Sequence, residues 1–164
     1  MGIDPGSSCT GYGIIEEVNS SIKVVHWGSV RSKPRHPFPQ RLKFIYDELS
    51  MVIRKFNPDE VAIEDMFFAT NVKSALKLGQ TRGIAVLSAV NEGKTVAEYS
   101  PLEVKQSVVG YGRAEKVQVQ DMVTSLLRLK EKPEPFDASD ALAVAICHVH
   151  ATTTNVRIKT AKRT

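Results

Sequence analysis

The order of apolar patterns along the chain, three strands and then helices alternating with strands, limits the folds that the sequence can adopt. The three opening segments are strand-like and are separated by turn residues: "MGID", "GYGIIEEV" and "IKVVHWGSVRS". Two later segments, "DEVAIED" and "KTVAEYS", fit buried strands, and each follows a stretch that reads as a helix. We therefore expect an α/β fold with a mixed five-stranded sheet flanked by helices.

Five segments are predicted to form helices. The first, "PFPQRLKFIYDELSMVIRKF", has apolar residues at helical spacing and is stopped by Asn57 and Pro58. The second, "NVKSALKLGQTRGIAVLSAVNEG", ends at Gly93. The others are "PLEVKQSVV", "EKVQVQDMVTSLLRL" and "SDALAVAICHVHA". A loop marked by Pro133 and Pro135 precedes the last helix and returns it to the sheet.

Size and apolar content favour one compact domain. With 164 residues, of which 42% are hydrophobic, we expect a single domain over residues 1–152 and a basic, flexible tail over residues 153–164. Cys9 and Cys147 lie far apart and suggest neither a disulfide framework nor a zinc site, as is usual in a reducing cytoplasm. The start "MGIDPG" does not resemble a signal peptide, and the apolar run "ALAVAIC" is too short for a membrane span. The prediction is a cytoplasmic protein.

Basic residues are concentrated in two places, although the net charge is only +4. The stretch "RSKPRHPFPQRLK" and the tail "NVRIKTAKRT" carry no acid. Such patches suit a polyanion such as nucleic acid. A solvated loop and a disordered tail explain the same pattern, so both interpretations stay open.

Two aspartates, Asp137 and Asp140, begin the last helical segment in "PFDASDALAVAICHVH". Residues three apart share one face of a helix, so both carboxylates would point the same way, beside the apolar stripe. The same pair also fits a helix cap with a second acid in the first turn. The stretch alone does not decide between a cap and half of a site.

Two more acids, Asp4 and Glu64, close predicted strands. Asp4 is followed by Pro-Gly in a tight turn, and Glu64 ends the apolar run "VAIE". Each could be an ordinary turn or strand-exit acid. If all four carboxylates from these three segments meet, their repulsion favours a bound divalent metal, and oxygen ligands favour Mg²⁺ or Mn²⁺. Two such ions can support phosphodiester hydrolysis.

Five motifs together resemble the RuvC family of Holliday junction resolvases: "GIDPGSSCTGYG", "AIEDMFF", "SALKLGQTRG", "VKQSVVGYGRAEKVQVQ" and "DASDALAVAICHVH". Their joint occurrence in this order carries the resemblance, which runs from the first strand to about residue 150. It implies a ribonuclease-H-like fold, a homodimer and divalent-metal-dependent cleavage of four-way DNA junctions by paired symmetric nicks, in recombination and repair. The implied partner is a branch-migration complex of the RuvA and RuvB type.

The resemblance also assigns roles to single residues. The family's four acidic ligands fall on Asp4, Glu64, Asp137 and Asp140, which would hold Mg²⁺, two ions per subunit, with Mn²⁺ as a substitute. The family's lysines near the scissile phosphate correspond to Lys105 and Lys116, and its base-stacking aromatic corresponds to Phe67. The first strand is expected to be shorter than in the family, since only Ile3 precedes Asp4 as a clear strand residue.

Two other functions remain open from the sequence. A ribonuclease-H-like nuclease of ribosomal RNA processing shares the "GIDPGS" opening but should lack the "VKQ", "GYG" and "AEK" run. A junction-binding protein that does not cut would keep the basic residues without needing the carboxylates. For the remaining residues we expect packing roles: His148 lies too far from Asp140 for a shared metal, and Trp27 fits the core. The helix at residues 74–90 is the candidate dimer surface.

Overall fold

The computed structural model describes residues 1–19, 21–65 and 71–161, with side chains described as far as residue 153. The elements in chain order are β1 Gly2–Asp4, β2 Cys9–Val18, β3 Ser21–Arg31, α1 Phe38–Phe56, β4 Glu60–Glu64, α2 Val72–Asn91, β5 Thr95–Tyr99, α3 Pro101–Val109, α4 Lys116–Leu126 and α5 Phe136–Ala161. Strands and helices follow one another in the predicted order.

The five strands form one mixed sheet in the order β3-β2-β1-β4-β5. β1 is antiparallel to β2 and parallel to β4, and β4 is parallel to β5. This confirms the predicted antiparallel opening and the helical crossovers that follow it. β1 has only three residues, as expected, yet it occupies the centre of the sheet, and Ile3 is fully buried.

Helices cover both faces of the sheet. On one face, Ile3 and Ile63 pack with Ile45 and Leu49 of α1 and with Ala85 of α2. The second core cluster lies on the other face and joins residues of β4, α3, α4 and α5: Ala62, Val104, Val108, Val119, Val123, Leu142 and Ile146. Neighbouring residues of a strand point to opposite faces. Glu64 therefore shares the face of Ala62, which is the α5 side.

Helix α5 lies unusually close to β1 and β2 because glycines face it. A Cβ atom at Gly2 would overlap the backbone oxygen of Ala141, and one at Gly11 would overlap the backbone oxygen of Asp137. Only glycine leaves room for such an approach of two backbones. The first turn of α5 can therefore reach the end of β1.

Replacing Gly11 with alanine should lower the free energy of unfolding by about 1–3 kcal/mol, since the added methyl group overpacks the contact with α5. The first turn of α5 should also move away from the end of β1. Urea unfolding measures the loss of stability. Gly83→Ala is the matched control, since a Cβ atom there meets nothing within 4 Å. Equal effects of both changes would contradict the close-approach explanation.

The last helix differs from its prediction at both ends. It begins at Phe136, three residues before the predicted start at Ser139, so Asp137 lies in the first turn. The N-cap interpretation of Asp137 is therefore wrong. At the other end the helix continues to Ala161. Most of the backbone of the predicted flexible tail is thus helical. The last glycine of the chain is Gly112 and the last proline is Pro135, so neither residue type interrupts the helix. The domain boundary at residue 152 stays a prediction.

Two further expectations concern the cysteines, for which no disulfide was expected, and the helices, none of which was expected to span a membrane. Cys9 and Cys147 are both free thiols; Cys147 is buried and Cys9 is half-buried. None of the helices in the described part of the chain combines the length and apolar character that crossing a membrane requires.

Candidate metal centre and active site

Asp4 and Glu64 come together at one edge of the sheet. β1 and β4 are parallel neighbours in which Gly2 pairs with Ala62 and Ile3 with Ile63. The next residues along the two strands are Asp4 and Glu64, so their side chains leave adjacent strand ends on the same face. The sheet register alone therefore brings together two of the predicted ligands.

Asp140 of α5 and Lys116 of α4 reach the same edge from the helical layer. The Nζ atom of Lys116 lies 2.7 Å from Oδ2 of Asp140. Lys116 is the first residue of α4, and a capping box fixes the start of that helix, because the backbone N–H of Glu115 donates to Oε1 of Gln118 at 2.9 Å. The position of the lysine is thus set by its helix terminus.

A cavity of about 210 Å³ joins these groups. Its lining comprises Asp4, Glu64, Pro101, Val104, Lys105, Lys116, Val119, Asp140 and Ala143. Three of the four predicted carboxylates and both predicted lysines therefore surround one space, with apolar residues of α3 and α4 as its walls.

Two carboxylates of this cavity, Asp4 and Glu64, resist ionisation, since the pKa of each is raised. Burial, together with the charges of Glu64 and Asp140, raises the pKa of Asp4 from 3.8 to about 8, and Lys116 only partly opposes the shift. Burial and Asp140 also raise the pKa of Glu64, against the effect of a hydrogen bond with Asp4 and of Lys116 and Lys105. Several acids share a space that has too little positive charge.

Lys116 responds in the opposite direction. Burial alone would lower its pKa, but the hydrogen bond with Asp140 and the charge of Asp4 raise it above the usual value. The ammonium group therefore stays protonated while the carboxylates around it compete for protons. This lysine is the nearest balancing charge in the cavity.

Asp137 stands apart from the other three predicted ligands. It does not line the cavity, and its effect on Asp4 is the smallest of those that raise the pKa of that group. Its carboxylate contacts the Cys9 thiol, whose pKa is raised by burial and further by Asp137. Within the described residues, no three His, Cys, Asp or Glu side chains already have the arrangement of a metal site. The structure thus brings together Asp4, Glu64 and Asp140, with Asp137 at the margin.

The donor chemistry of the cavity nevertheless fits a divalent metal. Its ligating atoms are carboxylate oxygens, which suit hard cations such as Mg²⁺ and Mn²⁺. Burial and the nearby charges of Glu64 and Asp140 raise the pKa of Asp4 to about 8, and a bound cation would relieve the repulsion among these carboxylates.

Arg82 of α2 is a residue beside the site that the sequence did not reveal. Its Nε atom lies 3.2 Å from Oδ1 of Asp65, and its guanidinium also pairs with Glu98. It lines a smaller cavity, of about 190 Å³, together with Asp4 and Glu64. Asp65 is 49% exposed and forms an ion pair with Arg82. Arg82 thus ties the end of β4 to α2 and β5.

A second unanticipated network holds the turn after Asp4. The hydroxyl of the fully buried Thr10 donates to the carbonyl oxygen of Gly6 at 2.9 Å and accepts from the Gly6 N–H at 3.3 Å. Arg41 of α1 donates to the carbonyl oxygen of Ser7 and to Oγ of Ser8. The aspartate is therefore followed by a turn that is anchored from two sides, which limits how far its carboxylate can move.

Roles were also predicted for His148, Trp27 and Phe67. His148 lies between the Tyr99 hydroxyl, 2.8 Å from Nδ1, and the Glu60 carboxylate, 2.6 Å from Nε2, which confirms its structural role. Trp27 packs against the second core cluster, as expected. Phe67, predicted to stack on a base, lies outside the described residues.

Known proteins resemble this chain in sequence along nearly its whole length. The family model described as "Crossover junction endodeoxyribonuclease RuvC" matches residues 1–148. A protein of that description from Alkaliphilus oremlandii (strain OhILAs) is 55% identical over 150 residues, which cover 92% of each chain. Another, from Clostridioides difficile (strain 630), is 50% identical over 151 residues, covering 92% of this chain and 89% of the relative.

Solved structures agree with the sequence relatives. Thermus thermophilus RuvC in complex with a Holliday junction substrate superposes with a TM-score of 0.87 at 34% identity, covering 94% of both chains. Yeast mitochondrial Ydc2, described as a Holliday junction resolvase, shares the fold at 15% identity, with a TM-score of 0.65 over 89% of this chain and 75% of that one. These likenesses confirm the predicted ribonuclease-H-like fold. Matched in sequence over residues 1–148 and in structure over 94% of its length, the chain belongs to the RuvC family of crossover junction endodeoxyribonucleases.

Proposed function

We propose that this protein resolves four-way DNA junctions by paired symmetric nicks during recombination and repair. The observation that carries the proposal is the cavity in which Asp4, Glu64 and Asp140 meet Lys105 and Lys116, in a chain of the RuvC family. A metal-dependent nuclease needs carboxylates that bind the cation and, beside them, lysines that bind the phosphate, and this cavity has both.

Asp4, Glu64 and Asp140 would hold the metal, with Asp137 completing the set from the first turn of α5. We assign Mg²⁺, two ions per subunit, with Mn²⁺ as a substitute. Metal bound there would supply an activated water and would stabilise the leaving oxygen. Asp137 would have to turn its side chain from the Cys9 thiol toward the cavity.

The two lysines would act on the phosphate. Nζ of Lys116 lies 2.7 Å from the Asp140 carboxylate, and with that carboxylate holding a cation the ammonium group would be free to contact the scissile phosphate. Lys105 lines the same cavity from α3 and adds a second positive charge. Together they would orient the phosphodiester and stabilise the negative charge that grows on it as water attacks and the bond to the 3′ oxygen breaks. The products are a 5′-phosphate and a 3′-hydroxyl.

Phe67 would stack on an unpaired base near the centre of the junction. It follows the proposed metal ligand Glu64 by three positions in the sequence. Stacking of a base on an aromatic side chain contributes about 1–3 kcal/mol. Placed there, the ring would hold open the strand that the carboxylates cut.

Paired nicks require two sites, and a two-fold dimer supplies one for each of the two strands. The exposed apolar side chains of α2 support this helix as the dimer surface: Val72, Leu76, Leu87 and Val90 are 74%, 64%, 46% and 54% exposed. Large apolar residues gathered on one helix often mark an interface. We further propose a RuvA and RuvB type branch-migration complex as the partner and the cytoplasm as the place of action.

Incubation of the protein with a synthetic four-way junction and Mg²⁺ tests the function. The expected result is a pair of nicks at symmetric positions in strands of like polarity, with little cutting of a duplex of the same sequence. Binding without nicks would instead support the non-cutting junction protein. Preferential cutting of structured RNA would support the nuclease of ribosomal RNA processing.

A further inference from the structure

Two cations from different helices converge on one aromatic ring at the Phe38 end of α1. The guanidinium carbon of Arg41 lies 5.7 Å from the centroid of the Phe38 ring, and Nζ of Lys77 lies 5.6 Å from the same centroid. We call Phe38, Arg41 and Lys77 the Phe38 cluster. A cation–π contact accounts for the attraction of each cation to the ring, but two like charges at one ring repel each other.

The Phe38 cluster has no acidic counterpart. Residues 18–46 contain six Lys and Arg residues and no Asp or Glu, and residues 66–91 contain three and again no acid. Among the described residues, the ammonium group of Lys77 contacts the ring of Phe38 and donates to no hydrogen-bond or ion-pair partner. Lys77 as a whole is half-buried, and with no acidic partner among the described residues its charge is available to an anion from outside the chain.

Arg41 is held rigidly, which makes it a preorganised part of such a site. Its Nε atom donates to Oγ of Ser32 at 3.0 Å, and Nη2 donates to Oγ of Ser8 at 3.2 Å. None of these acceptors is charged, so the positive charge of the guanidinium is not neutralised. An immobilised cation loses little conformational entropy when it binds an anion.

The Phe38 cluster is next to the metal centre. Arg41 contacts Ser7 and Ser8, which lie in the turn that follows Asp4. Lys77 is followed in α2 by Leu78, which lines the small cavity beside Asp4 and Glu64. Lys33 and Arg35, both exposed, extend the positive charge along the segment before α1.

We propose that the Phe38 cluster binds the phosphodiester backbone of a junction arm beside the strand that is cut, and so anchors the substrate outside the metal site. The inference deepens the proposed function and rests on it. Charge without a carboxylate partner fits phosphate, and the contact would supply affinity and register without reading any base. The contribution of the Phe38 cluster to junction binding should therefore depend on the salt concentration.

Lys77→Gln tests the proposal, because Lys77 makes no contact with the turn at Asp4. Binding of a synthetic four-way junction is measured in EDTA at several KCl concentrations, and cutting is measured in Mg²⁺. Loss of one phosphate contact should make the slope of log affinity against log salt less steep by about 0.9 and should weaken binding several-fold near 100 mM KCl. KM should rise by a similar factor, while kcat should change much less. Lys77→Arg should restore the slope.

Lys55→Gln is the matched control. Lys55 also lies over a phenylalanine ring, with Nζ 5.0 Å from the centroid of Phe56, but at the opposite end of α1. Its replacement should leave the salt slope unchanged. An unchanged slope for Lys77→Gln, or an equal change for Lys55→Gln, would overturn the phosphate contact. A wild-type protein that binds the junction but does not nick it would instead overturn the proposed function, which separates the two failures.

Discussion

Replacing Asp4 with asparagine should abolish junction cutting and at the same time make the metal-free protein more stable at pH 8. The amide keeps the size of the side chain but cannot offer a charged oxygen to a cation. We expect the rate of nicking in Mg²⁺ to fall by at least about a thousandfold, the scale of effects on removing central catalytic groups. Junction binding in EDTA should be retained, because the phosphate contacts are intact.

The gain in stability follows from the direction of the pKa shift. The pKa of Asp4 rises from 3.8 to about 8 on folding. A group with a raised pKa contributes stability that is fully present below pH 4 and is lost as the pH rises toward 8. Asparagine does not ionise and avoids that loss. We expect a gain on the order of 2 kcal/mol at pH 8, or about 4–8 °C in Tm, and little gain at pH 4.

Thermal unfolding at pH 4 and pH 8, with and without Mg²⁺, measures this effect. Mg²⁺ should raise the Tm of the wild-type protein and leave that of the variant nearly unchanged. Asp47→Asn is the matched control, since Asp47 is 49% exposed and pairs with Lys43 on α1. If Asp4→Asn destabilises the metal-free protein at pH 8, Asp4 is not a strained carboxylate, and the electrostatic case for a metal there fails.

The fold was predictable because each element carries its own local signal. The turn residues after β1 and the glycine-stopped helix α2 set element boundaries to within a few residues of those observed. The exception is α5, where Phe136 begins the helix although two acids and a proline-rich loop suggested a later start. Helix ends depend on how the chain enters them, which periodicity does not record.

The site was predictable in its members but not in its geometry. Asp4 and Glu64 close strands that are parallel neighbours, so strand order was enough to bring them together. Asp137 stands apart from the other carboxylates because its side chain contacts the Cys9 thiol, a contact that no motif reveals. Arg41 was noted only as part of a basic stretch, and Arg82 was not noted at all, because their contacts are with partners distant in the chain, such as Ser7 and Glu98. Contacts of that kind arise only from packing.

Replacing Lys116 with glutamine should reduce cutting by about a hundredfold and shift its pH dependence to higher pH. The rate loss follows from removing a positive charge beside the phosphate, where one lost donor typically costs a factor of about 10²–10³. The pH shift has a separate cause. Lys116 lowers the pKa of Asp4 and of Glu64, so its removal raises both. Protons then compete better with metal for the carboxylates, and more alkaline conditions are needed to load the site.

The nicking rate measured from pH 6 to pH 9 at several Mg²⁺ concentrations separates the two effects, because excess Mg²⁺ should reverse the pH shift and leave the rate loss. Lys116→Arg keeps the charge and should keep the wild-type pH dependence. Lys132→Gln is the control: Lys132, in the loop before α5, pairs with Asp121 of α4, and both side chains are about half exposed and do not line the cavity. If the nicking rate of the Lys116→Gln protein falls off at the same acidic pH as that of the wild type, this lysine acts on the phosphate alone. It would then not help to keep Asp4 and Glu64 ionised.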